Sequence, residues 1–238
     1  MTRKLNVKGK NVLLISDMHS PFIHPDTYAF LQAIKDELKP DVIVSVGDEI
    51  DGASLSFHEK DPDMPGASDE LNLAIQGLAP IYKMFPECMI MHSNHGSLVY
   101  RRGKFAGLPA DVFKSYREIL QAPIGWEWME DLILQTDRGP VYVCHNRSSN
   151  VLQNAQRFGQ SFVCGHFHGQ FEIRYYSSPE RLSYGMAVGC LIDQHNRAFN
   201  YGRLSTVRPV IGVGMIMQGV PMLISMFLNE DGRWIGHL

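Results

Sequence analysis

The sequence holds 238 residues, 45% apolar and 20% charged, with a formal net charge of -3. That length suits one domain spanning 1–238, with a core of ordinary size and no need for disulfide or metal staples. The slight acidity excludes a polycation that coats nucleic acid, and no run approaches the roughly 18 apolar residues of a membrane helix.

Cys88, Cys144, Cys164 and Cys190 form no C-x-x-C pair, so they read as small buried residues rather than a zinc knuckle or a disulfide framework. Residues 1–10 are basic, but the apolar run that follows, 12–15, is too short for a signal segment. The expectation is a cytosolic protein with no membrane partner.

Residues 12–16 read as a short buried strand. Residues 26–38 read as a helix, because Phe30, Ile34 and Leu38 recur every fourth position and Asp26 can cap the start. Lys39-Pro40 ends it, and 41–46 make a second buried strand, which together argue for a parallel βαβ unit. Residues 52–67, with Pro62 and Pro65, read as a loop. A helix over 69–85 follows, then a strand at 88–91, a helix at 110–121, and strands at 141–144 and 161–164 around a helix at 150–158. From about residue 204 the pattern changes. Runs at 210–218 and 222–228, separated by Gly219-Val220-Pro221, and a turn at 229–232 are expected to complete a sheet over 204–238.

Five segments follow predicted strands: Asp17-Met18-His19, Gly47-Asp48-Glu49-Ile50-Asp51, Ser93-Asn94-His95, His145, and Gly165-His166-Phe167-His168. Loops at strand ends of an α/β sheet are where sites form. In Asp17-x-His19 and His166-x-His168 the donors stand two apart, and in extended chain such residues point to one side. Asp48 has two oxygens with which to bridge cations, and Asn94 offers a neutral one. The set is oxygen and imidazole without sulfur, which suits Mn, Fe, Zn, Co or Ni rather than Ca or Mg alone. Taken singly, most of these segments have a plainer reading: Asp17 and Gly47-Asp48 as turn chemistry, His145 as a satisfied strand-end histidine. Their ordered recurrence after strands is what packing does not explain.

The order D-x-H, G-D-x-x-D, N-H, H, G-H-x-H resembles the calcineurin-like metallophosphoesterase superfamily over residues 12–168. The resemblance implies an α/β fold of two packed mixed β-sheets flanked by helices, a four-layer αββα sandwich. It implies two divalent metal ions, Mn first, with Asp17, His19 and His168 on one, Asn94, His145 and His166 on the other, and Asp48 between them. It implies hydrolysis of a phosphoester by a metal-bridged hydroxide, with His95 contacting phosphate or protonating the leaving group. The family usually carries an acid after that histidine, where this chain has Gly96. Asp51 either takes over that orienting role or caps a loop. Arg101 and Arg147 are candidate phosphate contacts, whereas Arg102 and Lys104 read as solvated, and His58 and Lys60 as surface loop. Phe167, Tyr175, Tyr176 and Tyr184 can stack on bases or simply pack in strands.

The segments around Asp48 and Asn94 are similar to small phosphoesterases of tailed bacteriophages. That puts a nucleotide or DNA/RNA substrate first and would place the protein in a host cytoplasm. The alternatives are a phosphodiesterase or nuclease acting on DNA, and a non-catalytic scaffold that keeps the fold. The apolar C-terminal residues Met215, Met217, Met222, Met226 and Phe227 suit either a homo-oligomer contact or burial within the chain's own sheet.

Overall fold

The structure is a computed structural model that describes residues 2–57, 62–196 and 206–238. In chain order the first half contains β1 (Arg3–Asn6), β2 (Asn11–Ile15), α1 (Thr27–Leu38), β3 (Val42–Ser45), α2 (Ala67–Met84), β4 (Glu87–Met91) and α3 (Leu98–Phe105). Then come α4 (Tyr116–Ile119), β5 (Gly125–Met129), β6 (Leu132–Thr136), β7 (Gly139–Val143), α5 (Val151–Phe158) and β8 (Ser161–Cys164). The chain continues through β9 (Phe171–Ser177), β10 (Leu182–Val188), β11 (Gly212–Met217) and β12 (Val220–Ser225).

These strands make two mixed six-stranded sheets, ordered β1-β6-β7-β8-β10-β9 and β12-β11-β2-β3-β4-β5. Strand alternation sorts their side chains into layers. On β2, Val12 and Leu14 point into a core shared by the two sheets, where they meet Leu132, Leu134, Val141, Val143, Val163 and Met186. Leu13 and Ile15, one residue out of phase, pack instead against Phe30, Leu31 and Ile34 of α1 and Leu78 and Ile81 of α2. The outer face of the other sheet carries Tyr142, Cys144, Phe162 and Cys164, covered by Val151 and Ala155 of α5. The result is helix, sheet, sheet, helix: the four-layer arrangement expected from the resemblance. All four cysteines are free and buried. Among the described residues no helix is long and apolar enough to cross a membrane.

The α5 layer lies so close that Gly185 on β10 is obligatory. A Cβ there would collide with the backbone of Val151 and Leu152. Gly185→Ala should therefore cost about 1–3 kcal/mol, the usual range for overpacking, measured as a lowered denaturation midpoint. An unchanged midpoint would show that α5 moves freely against the sheet.

Several local expectations differ from what is found. The helix at 110–121 is instead a 3-10 turn at Ala110–Val112, extended backbone at Phe113, and the single turn of α4. Ser115 and Glu118 form a capping box that starts a new helix, which a continuous one would forbid. Helix α3 was not anticipated; it is only eight residues long and carries Gly103 inside it, a weak local helix signal. Strands β1, β5 and β6 were not anticipated. Asp26 has no side-chain capping bond. Its carboxylate instead takes Arg233 Nε at 2.8 Å and the Trp234 amide at 2.9 Å. The Arg233 hydrogen bond pulls the Asp26 carboxyl down to about 2. The β11–β12 turn is Gln218-Gly219, both at positive φ as a two-residue hairpin needs. Val220 and Pro221 already belong to β12, an edge strand that tolerates proline. Of the C-terminal apolar residues, Met215 and Met226 are buried in the chain's own core, while Met222 and Phe227 are exposed.

Candidate metal centre

Parallel pairing decides where the donors meet. β2, β3 and β4 run parallel, so the residues after their C-terminal ends, Asp17, His19, Asp48 and Asn94, gather at one end of their sheet. β7 and β8 do the same for His145, His166 and His168 in the other sheet. The two sheets face each other, so both sets open into one space. Three trios of donor atoms lie within 4.8 Å of one another: Asp17, His19 and His168; His19, Asp48 and His95; Asp48, His145 and His166. Asn94 joins the last, its Oδ1 2.8 Å from His145 Nε2.

The donors do not converge by strand alternation, as their two-residue spacing suggested. Asp17, His19, Asp48 and His166 all have positive φ, between 47° and 69°. For residues with a Cβ, this left-handed backbone stores roughly 1–3 kcal/mol each. Interlocked backbone bonds hold the kinks: the Asp17 amide donates to Gly47 O and the His19 amide to Asp48 O, both at 2.9 Å. Gly47 sits at φ 111°, and a Cβ there would stand 2.7 Å from His145 Nδ1 and 2.8 Å from Ser93 Cβ. Glycine at this position lets the loop after β3 pass directly beneath the His145 ring.

Hydrogen bonds on the far side of each ring fix which nitrogen faces the centre. His145 Nδ1 lies 2.9 Å from the Val46 carbonyl, which can only accept, so Nδ1 carries the proton and Nε2 presents a lone pair inward. His19 Nδ1 lies 2.6 Å from the Asp51 carboxylate, leaving Nε2 directed at Asp17 and Asp48, 3.7 and 3.6 Å away. Lone pairs and carboxylates facing one another across such distances repel unless positive charge lies between them. Oxygen and imidazole donors at these positions fit divalent transition-metal cations.

Without cations, protons supply that charge. Burial disfavours a charged His19, but the surrounding carboxylates of Asp17, Asp51 and Asp48 overcome it and carry His19 up to about 10. His145, likewise opposed by burial, rises to about 9 beside Asp48. Burial would raise the Asp17 carboxyl, yet His168 and His19 hold it well below its usual range. Asp48 is lowered against the same desolvation by His145 and His19. Burial and the neighbouring His145 charge depress His166.

His95 and Asp51 are brought together differently from the simplest expectation. His95 Nδ1 lies 2.5 Å from the Asp51 backbone carbonyl and 3.6 Å from its Oδ1. The Asp51 carboxylate is mainly the partner of His19. Asp51→Ala is therefore expected to weaken metal binding by about 10–100-fold, as loss of a ligand-orienting partner commonly does, while the His95 contact survives through the backbone. Metal titration of the variant checks this; unaltered affinity would show that Asp51 does not hold His19.

The candidate substrate residues are placed unevenly. Arg101 stands at the rim, Nη1 3.4 Å from the Asn94 carbonyl and its guanidinium 5.5 Å from the Phe57 ring. Arg102 is not solvated, as expected, but bonds to the Leu55 and Ser56 carbonyls and lies 3.7 Å over Phe57. Arg147 turns away from the donors: it reaches the Tyr142 hydroxyl, on the α5 side of its sheet. His58 and Lys60 lie outside the described residues. Two groups went unnoticed in the sequence. Ser16 Oγ bonds Asp17. Glu49, read only as a spacer in its motif, is wholly buried behind Asp48, accepts from Trp128 Nε1 at 3.0 Å, and is raised by burial.

The sequence model described as "Calcineurin-like phosphoesterase" matches residues 10–170. Comparison with curated protein sequences returns no match. Solved structures of similar fold include a novel archaeal phosphodiesterase, at 12% identity and TM-score 0.46, covering 90% of this chain and 99% of that one. Yfce, a phosphoesterase from E. coli, is 13% identical with TM-score 0.48, covering 94% and 96%. Vacuolar Protein Sorting 29 from Cryptosporidium parvum is 14% identical with TM-score 0.42, covering 91% and 96%.

Proposed function

The chain belongs to the calcineurin-like phosphoesterase family, and from that premise we propose that it hydrolyses a phosphoester using two divalent cations. The observation that supports this most is the position of Asp48. Its Oδ2 is 3.1 Å from His145 Nε2 and 3.6 Å from His19 Nε2, so one carboxylate touches both donor groups. Asp17, His19 and His168 would hold one cation and Asn94, His145 and His166 the other, with Asp48 common to both. Manganese is the first choice of metal, with iron, zinc, nickel or cobalt also suited to these donors. When bound, such cations supply Lewis acidity: they neutralise phosphoryl oxygens and lower the pKa of a water.

The chain's own groups do the rest. The Asp51 carbonyl holds the proton of His95 on Nδ1, so Nε2 is the nitrogen left to meet substrate. The His95 side chain is about a quarter exposed, unlike the buried His19 and Asp48 beside it, so it can reach a bound phosphoester and shuttle a proton at the departing oxygen. Arg101 at the rim adds a cation beside the Asn94 loop, where a phosphate would lie.

The substrate we favour is a nucleotide or nucleic acid. This rests on the likeness of the Asp48 and Asn94 segments to small phage phosphoesterases, and on Arg101 and Phe57 lying together at the rim. Purified protein with Mn²⁺ should be incubated with bis-p-nitrophenyl phosphate, p-nitrophenyl phosphate and end-phosphorylated oligonucleotides, with closed circular plasmid as the duplex comparison. Turnover of at least one is expected. No turnover of any, with bound metal verified, would reduce the chain to a scaffold that kept the fold.

A further inference from the structure

We propose that the mouth between the two sheets, at the end remote from the metal donors, is a second binding site for a nucleotide-sized organic anion carrying a planar ring. The proposal is independent of turnover at the metal centre.

The place follows from strand direction. Gly139 opens β7 and Ser161 opens β8, whereas His145 and His166 follow the other ends of those strands. At about 3.3 Å per residue, the length of β8 and its following turn puts some 13–16 Å between the two sites. From the opposite sheet the β11–β12 hairpin tip closes over this mouth, leaving a cavity of about 500 Å³. That is within the range of pockets that hold small organic ligands, roughly 300–1,000 Å³.

The lining specifies charge. Among the described residues it contains Arg138 and Arg181 and no carboxylate. The Arg181 guanidinium lies against Gly139, next in sequence to Arg138, because a Cβ on Gly139 would stand 3.2 Å from Arg181 Nη1. The Arg138 side chain packs along the hairpin tip at Gly219. Two arginines therefore line one opening. Arg181 also pairs with Glu180 at 3.2 Å, but Glu180 is largely exposed, and such surface pairs are weak enough for a ligand to displace.

The lining also specifies shape and polarity. Tyr175 and Tyr184 are directly opposed on β9 and β10, so they share a face, with ring centroids 6.2 Å apart. Tyr175 is half exposed and lines the same cavity. Tyr184 is 4% exposed, and its hydroxyl is buried with no hydrogen-bond partner among the described residues. A buried hydroxyl left unpaired beside a cavity is a cost that a ligand oxygen would relieve. An anion for the arginines, a flat ring for Tyr175 and an acceptor or donor for Tyr184 together describe a mononucleotide-like molecule.

The test is calorimetric titration of the full, metal-stripped protein with AMP, adenosine and inorganic phosphate. Stripping removes the cations that would draw a phosphate to the metal centre, and the arginine variant assigns the remaining binding to the remote mouth. AMP should bind with a stoichiometry of one, more tightly than adenosine or phosphate. The double variant Arg138→Gln/Arg181→Gln should lose at least about tenfold in AMP affinity, as expected for charge-assisted contacts. Tyr184→Phe, which removes a single oxygen, should lose about threefold or more. Metal-loaded turnover of bis-p-nitrophenyl phosphate should be unchanged in both variants. The site is refuted if AMP does not bind, or if neither variant alters its affinity. Equal binding of adenosine removes the anion requirement, and equal binding of phosphate removes the ring requirement; either overturns the assignment.

Discussion

Asp48→Ala is expected to abolish measurable phosphoester turnover, a loss on the order of 10³-fold or more, and to lower metal content in the same preparation. Three contacts converge on that carboxylate. Oδ2 faces His19 Nε2 and His145 Nε2, and Oδ1 accepts the His95 amide at 3.0 Å. Removing it therefore takes away the group common to both donor sets and releases the loop that carries His95. Asp48→Asn separates these effects. It can still accept the His95 amide but lacks the negative charge, so it should fold like the parent and still lose turnover. Metal analysis by mass spectrometry beside the turnover assay reads both consequences. If Asp48→Ala kept its metal and its rate, the centre would lie elsewhere.

Stripping the metal should have the second large effect: turnover disappears, and stability acquires a pH dependence of definite sign. In the cation-free protein His19 is raised from 6.5 to about 10 and His145 from 6.5 to about 9. The folded state then binds more protons than the unfolded chain, so stability falls as pH rises. The contribution of these two groups is complete below about 6.5 and is lost as pH climbs through 9 to 10. Asp17 and Asp48 act in the opposite sense. They are lowered, so their contribution is present above about 4 and is lost on acidification. Cations replace the histidine protons, and their binding should release protons and strengthen with pH. The stabilisation on adding Mn²⁺ to stripped protein, measured as the rise in melting temperature, should therefore grow between pH 6.5 and 9. A difference that shrank over that range would mean the cations do not occupy the histidine nitrogens.

Much of this centre is visible in the order of residue types. Asp17, His19, Asp48, Asn94, His145, His166 and His168 each stand just after a short apolar run; six of them fall in the trios formed in space, and Asn94 joins through His145. Apolar periodicity of this kind is local, so β2, α1, β3, α2 and α5 are all read from it. Where a local signal is weak or double, the reading fails. The short, glycine-containing α3 was missed, and the capping box at Ser115 broke an apparently continuous helix. Arg147 looked like a phosphate contact because it follows His145 by two residues, yet it bonds Tyr142 on the far face of the sheet.

By itself the sequence determined the donor chemistry and its succession along the chain, because residue type sets what a side chain can ligate and apolar runs mark the strands before each loop. Only the tertiary structure decided how those donors are aimed. The left-handed kinks at four of them, the Val46 carbonyl behind His145, and the division of Asp51 between His19 and His95 all depend on contacts between distant segments. Such contacts arise when parallel strands bring their ends side by side, and nothing in the spacing of neighbouring residues encodes them.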